Sequence, residues 1–413
     1  MLAALKSETV PAMPAAAREA AFLAQRVDAY YRERAVNART GGHILKGRIP
    51  SSGDLILSSN DYLSLARHPE IVRAQQQTLR DEGHGIPRSS VFVFGESALR
   101  TLERTMARAM HSEDALIAQS GWCANTGLLQ AIAAPGTPVY IDMFAHMSLW
   151  EGVKSAGASA RPFRHNNVES LQKLIARHGP GIVVVDSLYS TNGSVCPLPA
   201  IVQAATTGGC VILVDESHAL GVYGDHGEGM VARLGLAPLV HFRTASLSKA
   251  FAARGGLILC SARHVEYLRY QSLPAIFSSG LLAHEIAGLQ ATTAVIRREG
   301  FRREKVLGNA LYLRRRLTEL GYDVGSDASQ IIALTPGAEH LTIQLRDALE
   351  ARGIFGSVFC DPATPRNRSL IRFTLTAEHT RAQLDRVAAA CAEIRGQLDL
   401  HEWPQARQRR RAA

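Results

Sequence analysis

Two absences narrow the possibilities for this 413-residue chain first. No apolar run approaches the roughly 20 residues that span a bilayer, so no membrane-spanning helix is expected. Met1 to Val10 has neither a hydrophobic segment nor a cleavage pattern, so no signal peptide is expected. Cysteine is sparse and scattered: Cys123, Cys196, Cys210, Cys260, Cys360 and Cys391, with no C-x-x-C pair. That spacing suits neither a disulfide framework nor a zinc site, and it points to a reducing cytoplasm without a bound metal. Internal repeats and low-complexity segments are also missing.

Acidic charge is in deficit, with 37 Asp and Glu against 46 Lys and Arg, net +9. A basic chain suits nucleic acid, but no recognition motif is present, and no nucleic-acid partner is expected. A phosphate-rich small molecule such as an acyl-coenzyme A suits the same charge. Part of the excess lies in the tail Arg407-Gln408-Arg409-Arg410-Arg411, within a basic end at 401–413. Apolar residues make up 46% and charged residues 20%, the balance of a soluble globular protein. The length favours two domains.

Residues 1–53 read as an arm. Ala15 to Arg34 is helical in composition, with breaks at Gly41-Gly42 and Pro50-Ser51-Ser52-Gly53. From 54 to 285 aliphatic runs alternate with helical stretches. Ala115–Ala118, Gly181–Asp186, Cys210–Val214 and Leu257–Cys260 read as strands, and Ile201–Thr207 as a helix. Continuous apolar strands imply burial on both faces, hence a mostly parallel sheet flanked by helices in a large α/β domain. Ligands of such sheets bind beyond the carboxyl ends of the strands, where Asp186 and Asp215 stand. Residues 286–400 read as a smaller α+β domain: Arg-rich helical sequence at Ala294–Leu320, strands at Gln330–Leu334 and Leu370–Leu375, and a last helix at His379–Leu398.

The chemistry concentrates in Asp215-Glu216-Ser217-His218 and Ser246-Leu247-Ser248-Lys249. A strand-end acid followed by a lysine after a Ser/Thr-rich loop suits pyridoxal phosphate. The amine forms a Schiff base with the aldehyde, and the carboxylate keeps the pyridine nitrogen protonated. Alone, either residue reads equally as a capping acid or a surface lysine. Ser120-Gly121-Trp122 follows a strand and enters a helix at about Ala124, a place where free amides bind phosphate. Trp122 reads as lying near the cofactor or in the core. His146, in an apolar setting, reads as a core histidine or as one that stacks on a pyridine ring and assists proton transfer. His218 reads as a donor to the phenolic oxygen or as a turn residue. The hydroxyls of Thr244, Ser246 and Ser248 read as phosphate ligands. Arg372, between Ile371 and Phe373, suits a substrate carboxylate or an edge strand facing water.

In this order these residues resemble the α-oxoamine synthase family of pyridoxal-phosphate enzymes, fold type I. The resemblance is carried by Ser58-Ser59-Asn60-Asp61-Tyr62-Leu63, Ser120-Gly121-Trp122, Asp142 with His146, Asp186 to Ser190, Asp215 to His218, Ser246 to Lys249, and Ile371-Arg372-Phe373-Thr374. Within the family, Tyr140–Gly152, Arg177–Gly181, Pro274–Ser279 and Gly353–Cys360 most resemble the branch of quorum-sensing synthases that make α-hydroxyketone autoinducers. The resemblance implies roles. Lys249 carries the cofactor and moves the α-proton. Asp215 pairs with the pyridinium, His218 with the phenolic oxygen, and His146 stacks on the ring. Ser120, Gly121, Trp122 and Ser246 hold the phosphate, with Ser278 or Ser279 reaching it from the neighbouring subunit of a homodimer. Ser190 lies beside the cofactor, and Asn60 and Arg372 beside the substrate carboxylate.

It also implies an acyltransferase that condenses an amino donor, S-adenosylmethionine or 2-aminobutyrate, with a medium or long acyl-coenzyme A. Carbon dioxide is lost and an α-aminoketone is released. An 8-amino-7-oxononanoate or sphingoid-ketone synthase is the nearest alternative, and a non-catalytic cofactor-binding regulatory module is one of another class. One segment departs from the family. Where a Gly/Ser-rich stretch is expected, Gly83 to Gly95 is bulky and apolar, so Ile86 to Phe94 reads as an acyl-chain pocket or as repacked core.

Overall fold

The computed structural model describes residues 20–32, 45–361, 363–398 and 403. The arm helix runs over Ala21–Tyr30. The rest of the stretch predicted around it, the Gly41-Gly42 break and the run Arg407–Arg411 lie outside the described residues. Among the described residues no helix is long and apolar enough to cross a membrane.

Among the described residues twelve strands are formed: β1 (Leu55–Ile56), β2 (Asp114–Ala118), β3 (Pro138–Asp142), β4 (Ser159–Phe163), β5 (Ile182–Asp186), β6 (Val211–Asp215), β7 (Phe242–Ser246), β8 (Gly256–Cys260), β9 (Ile331–Gly337), β10 (Ile354–Phe355), β11 (Ser357–Phe359) and β12 (Ser369–Thr374). Seven of them make one sheet in the order β2-β8-β7-β6-β5-β3-β4. β3 to β7 pair in parallel with β4 alongside, whereas β8 runs antiparallel to both β7 and β2. The reversal has a simple cause. β7 and β8 are joined by the short link Leu247–Gly255, and a parallel return needs a crossover of about a dozen residues or more.

Alternate residues of the same strand feed two different cores. Val183, Val185, Ile212, Val214, Leu257 and Leu259 face the larger core, while Ile182, Val184, Leu213 and Ile258 face the other. Two-sided burial is why these strands read as unbroken apolar runs. The helix Gly121–Ile132 starts earlier than its composition suggests, because Ser120 caps it by accepting from the Cys123 amide at 3.1 Å.

The C-terminal part holds the antiparallel sheet β11-β12-β9. Arg372 sits in β12, the middle strand, paired to Ser357 on one side and Ala333 on the other. It is 7% exposed, which removes the edge-strand reading. The helical stretch predicted at Ala294–Leu320 is two helices, Ala283–Arg298 and Phe301–Glu319. They break at Glu299-Gly300, where the Glu299 carboxylate gathers His68, Arg298 and Arg302. The last helix is shorter than predicted, Arg381–Arg395, and starts at a Thr380–Gln383 capping box.

The loop after β6 is anchored from behind. Arg243 donates from Nε to Glu216 Oε2 at 2.6 Å, and both side chains are buried. The same guanidinium also donates to the carbonyls of Met110 and Glu228. Replacing Arg243 by Leu strands the Glu216 carboxylate in the interior, a loss of about 3–5 kcal/mol. A clear fall in the urea midpoint is expected, and equilibrium denaturation followed by circular dichroism measures it.

Candidate active site

The strand ends converge. Asp186 closes β5 and Asp215 closes β6, opposite each other in register, with Ser246 closing β7. Against Ser246 packs the start of the helix Gly121–Ile132. The approach is so close that a Cβ on Gly121 would lie 2.5 Å from the Ser246 Cβ, and one on Gly256 would lie 2.1 Å from the Ser120 carbonyl oxygen. Only glycine fits either position. The result is a cradle lined by the first amides of a helix and by the Ser246 and Ser248 hydroxyls, which are 2.8 Å apart.

Asp215 is 4% exposed and is held by two donors. Asn125 Nδ2 reaches its Oδ2 at 2.7 Å, and the Ser217 amide reaches its Oδ1 at 2.8 Å. Asn125 is itself fully engaged. Its Nδ2 also donates to Ser148 Oγ at 2.8 Å, and its Oδ1 accepts from Thr244 Oγ1 at 2.6 Å. Thr244 is therefore not a phosphate ligand: it lies one pleat deeper in β7 than Ser246, beneath the helix, with its hydroxyl spent on Asn125. Beside Asp215, burial and then the neighbouring Asp215 charge push the Asp186 carboxyl well above the usual carboxylate range.

His218 Nδ1 lies 2.6 Å from the Tyr62 hydroxyl, and its carbonyl accepts from Gln330 Nε2 at 2.7 Å. Burial, reinforced by Lys249, Arg372 and His146, drives its pKa well down, so it is neutral near pH 7. His146 is also lowered, mainly by burial; Asp215 opposes the shift and Lys249 adds to it. Its amide donates to Asp186 Oδ1 at 3.2 Å, and the Trp122 ring meets it edge-on at 6.3 Å.

Lys249 is half-buried, and among the described residues its amine makes no hydrogen bond or ion pair, although its carbonyl accepts from the Ala252 amide at 2.9 Å. Burial lowers its pKa, Asp215 acts against this, and Arg372 lowers it further. Arg372 Nη1 donates to the Ser190 carbonyl at 2.8 Å and Nη2 to Asn60 Oδ1 at 3.4 Å. Its Nε is buried without a partner, and no carboxylate pairs with it among the described residues. A desolvated guanidinium with an open donor suits an incoming anion.

The structure thus gathers Asn60, His146, Ser190, Asp215, His218, Lys249 and Arg372 in one place, next to the cradle of Ser120, Gly121, Trp122 and Ser246. Among the described residues, Ser278 and Ser279 make no hydrogen bond with the cradle residues of their own chain, although the Ser278 carbonyl accepts from Gln119 Nε2 at 3.3 Å. They are exposed, Ser278 Oγ bonds the Pro274 carbonyl, and Ser279 bridges Ser89. Tyr62, Asn125, Ser148 and Gln330 were missed as site residues by the sequence reading. A signal existed for Asn125, a lone amide in the otherwise small and apolar stretch Cys123 to Leu129.

A cavity of about 520 Å³ opens off His146 and Ser190. Met143, Phe144, Met147, Trp150, Phe359 and Leu370 give it apolar walls, and Arg368 is also on its lining. Ile86 to Phe94 does not contribute. Ile86, Phe92 and Phe94 are 76%, 59% and 70% exposed in the single chain, so these three are not core of this chain, although Val93 packs against the larger core. The segment turns outward between Gly85 and Gly95, both at positive φ.

These groups fit pyridoxal phosphate. A buried carboxylate faces no cation of its own in a hydrogen bond, a lysine amine stands free of hydrogen bonds, and a cradle with no room for a Cβ offers helix amides to a phosphate. Among the described residues no cluster of His, Cys, Asp or Glu suits a metal ion.

Known proteins resemble this chain over most of its length. The profile described as Aminotransferase class I and II matches residues 53–390. The chain is 42% identical over 372 residues to the CAI-1 autoinducer synthase of Vibrio campbellii, covering 90% of this chain and 94% of that one. It is 30% identical over 347 residues to the 8-amino-7-oxononanoate synthase of Bacillus pumilus, covering 83% and 88%. A solved serine palmitoyltransferase from S. paucimobilis, with bound PLP and myriocin, superposes with a TM-score of 0.80 at 26% identity, covering 84% of this chain and 88% of that one.

The electrostatics of Lys249 give a pH test. A lowered lysine pKa leaves more free amine at any given pH, so attachment of pyridoxal phosphate to the apo chain should titrate below the ordinary lysine range. Asp215→Asn removes the charge that opposes the shift, and the midpoint should fall further. Stopped-flow absorbance across a pH series checks both; an upward move in the variant contradicts the assignment of charges.

Proposed function

The chain belongs to the aminotransferase class I and II family and is a pyridoxal-phosphate enzyme of the α-oxoamine synthase type, and from that premise we propose that it makes the α-aminoketone precursor of an α-hydroxyketone autoinducer. The substrates are an amino donor, S-adenosylmethionine or 2-aminobutyrate, and a medium or long acyl-coenzyme A. A carbon–carbon bond forms between the donor's α-carbon and the acyl carbonyl carbon. The thioester carbon–sulfur bond breaks and releases coenzyme A, and the bond to the donor's carboxylate breaks and releases carbon dioxide. Bound pyridoxal phosphate supplies the electron sink for the α-carbon.

The residues divide the work. Lys249 holds the cofactor and, as a free amine, takes the α-proton. Asp215 holds the ring nitrogen, His218 the phenolic oxygen, and His146 a face of the ring. Ser120, Gly121, Trp122 and Ser246 hold the phosphate. Arg372 and Asn60 take the donor's carboxylate, and Ser190 keeps the guanidinium aimed through its carbonyl. The protein acts as a cytoplasmic homodimer, with Ser278 or Ser279 of a second copy completing the phosphate site. The exposed Ile86, Phe92, Phe94 and Phe277 support such an apolar face, since large apolar side chains clustered on a surface mark interaction sites.

The observation that carries the acyl half of the reading is the apolar cavity opening off His146 and Ser190. Its volume is that of a ligand pocket, and its walls reward length: each buried methylene is worth about 0.8 kcal/mol. The likeness to the Vibrio campbellii synthase over nearly the whole of both chains supports the same reading.

Purified enzyme given a panel of acyl-coenzyme A thioesters crossed with amino donors should yield α-aminoketones, detected by mass spectrometry, with turnover rising with chain length until the cavity is full. Selective use of pimeloyl thioester with alanine would assign the chain to 8-amino-7-oxononanoate synthesis instead. Arg372→Lys retains the charge but loses the planar fork. It should raise the donor KM by about tenfold or more, equivalent to about 1.4 kcal/mol, while the acyl-coenzyme A KM changes little. Equal effects on both substrates would remove Arg372 from the donor site.

A further inference from the structure

One hydrogen-bond chain runs from Asp215 to His146 through two buried side chains, and its donors can be counted. A carboxylate accepts, so the Asn125 amide must turn Nδ2 toward Asp215; the opposite orientation would set oxygen against oxygen and cost the Thr244 hydroxyl its acceptor. The second Asn125 Nδ2 proton goes to Ser148 Oγ at 2.8 Å. Ser148 has one hydroxyl proton, and the other atom within reach of its oxygen is His146 Nδ1, also at 2.8 Å. That proton therefore points at Nδ1. The Ser148 amide points at the same atom from 3.3 Å, because His146 is the N-cap of the helix Met147–Ser155. Two donors converge on Nδ1, and the positive end of a helix lies behind them. Asn125 is 2% exposed and Ser148 0%, so the Asp215–Asn125–Ser148 part of the chain is shut off from water, while the His146 ring faces the open site.

We infer that Asn125 and Ser148 are positioning residues that hold His146 as the neutral imidazole with its proton on Nε2, and that Asn125 ties this tautomer to the Asp215 carboxylate. Nε2–H is then the one polar edge that His146 has left for the site. It can donate to an oxygen of a bound molecule and cannot accept a proton from carbon. This narrows the sequence-based role of His146: it stacks and donates, and the proton transfer falls to Lys249. The tautomer follows from the hydrogen bonds alone, whereas the roles given to His146 and Lys249 rest on the proposed function.

Four other titratable groups face His146. Asp186 on β5 accepts from its amide, Asp215 on β6 favours its protonation, and Lys249 and His218 disfavour it. A test must separate Ser148 from all four, and nitrogen NMR does so. In holoenzyme carrying ¹⁵N-labelled histidine, with the His146→Asn spectrum as assignment, Nδ1 should show an unprotonated signal and Nε2 a proton-bearing one from about pH 6 to 8, the range in which an ordinary histidine titrates. Ser148→Ala removes one of the two donors to Nδ1. The His146 midpoint should rise by about half to one pH unit, the size of one hydrogen bond. Ser148→Thr keeps the hydroxyl and should restore the wild-type midpoint. A proton on Nδ1 in the wild type, or a midpoint unmoved in Ser148→Ala, overturns the inference. The wild-type spectrum decides even if a variant folds poorly.

Discussion

The structure turns on keeping one carboxylate, Asp215, inside the protein. An anion taken out of water must be solvated by fixed dipoles or it neutralises. Here the Ser217 amide and the Asn125 amide group supply them. The demand propagates outward. Asn125 must in turn be satisfied, and it is, by Thr244 on β7 and Ser148 on the helix Met147–Ser155. Four elements are thereby fixed in relation to one oxygen pair: β6, β7, and the helices that begin at Gly121 and Met147. Glu216, next in sequence, is held separately by Arg243, so the loop bearing Asp215 and His218 is pinned from both sides.

Around that carboxylate the remaining charges are kept low. Burial favours the neutral forms of His146, His218 and Asp186, and the mutual effects of the cluster mostly work in the same direction. Lys249 is shifted toward the free amine by the same burial, with Asp215 as the counterweight. Under the proposed function Lys249 acts as a nucleophile and then as a base, and that role needs such poise. It comes from desolvation of the whole cluster rather than from a single neighbour.

The surroundings of Arg372 are assembled from segments far apart in sequence. Arg372 on β12 is steered by the Ser190 carbonyl and by Asn60, and it stacks on Phe359 at 4.7 Å. The cavity draws on the stretch between β3 and the helix Met147–Ser155, on the residues after β5, and on the C-terminal sheet. Its walls lie between the two parts of the chain that the sequence reading treated as separate domains, and residues of both parts share the larger apolar core.

Much of the fold, and the grouping of Asp215, His218 and Lys249, was legible in the sequence, because both are written locally. A strand buried on two faces must be continuously apolar, and a strand-end acid or a lysine after a hydroxyl-rich loop is visible in a few adjacent residues. The antiparallel β8 was not visible, since strand direction follows from how a connection of given length can return. Nor were the partners. Tyr62 meets His218 across 156 positions and Asn60 meets Arg372 across 312, and no local pattern encodes such pairings. The same holds for the outward turn of Ile86 to Phe94, where apolar composition alone suggested burial. By itself the sequence determined which residues can be buried and which can react. Only the tertiary structure decided which of them meet, because hydrogen bonds and cavities belong to packed neighbours rather than to positions along the chain.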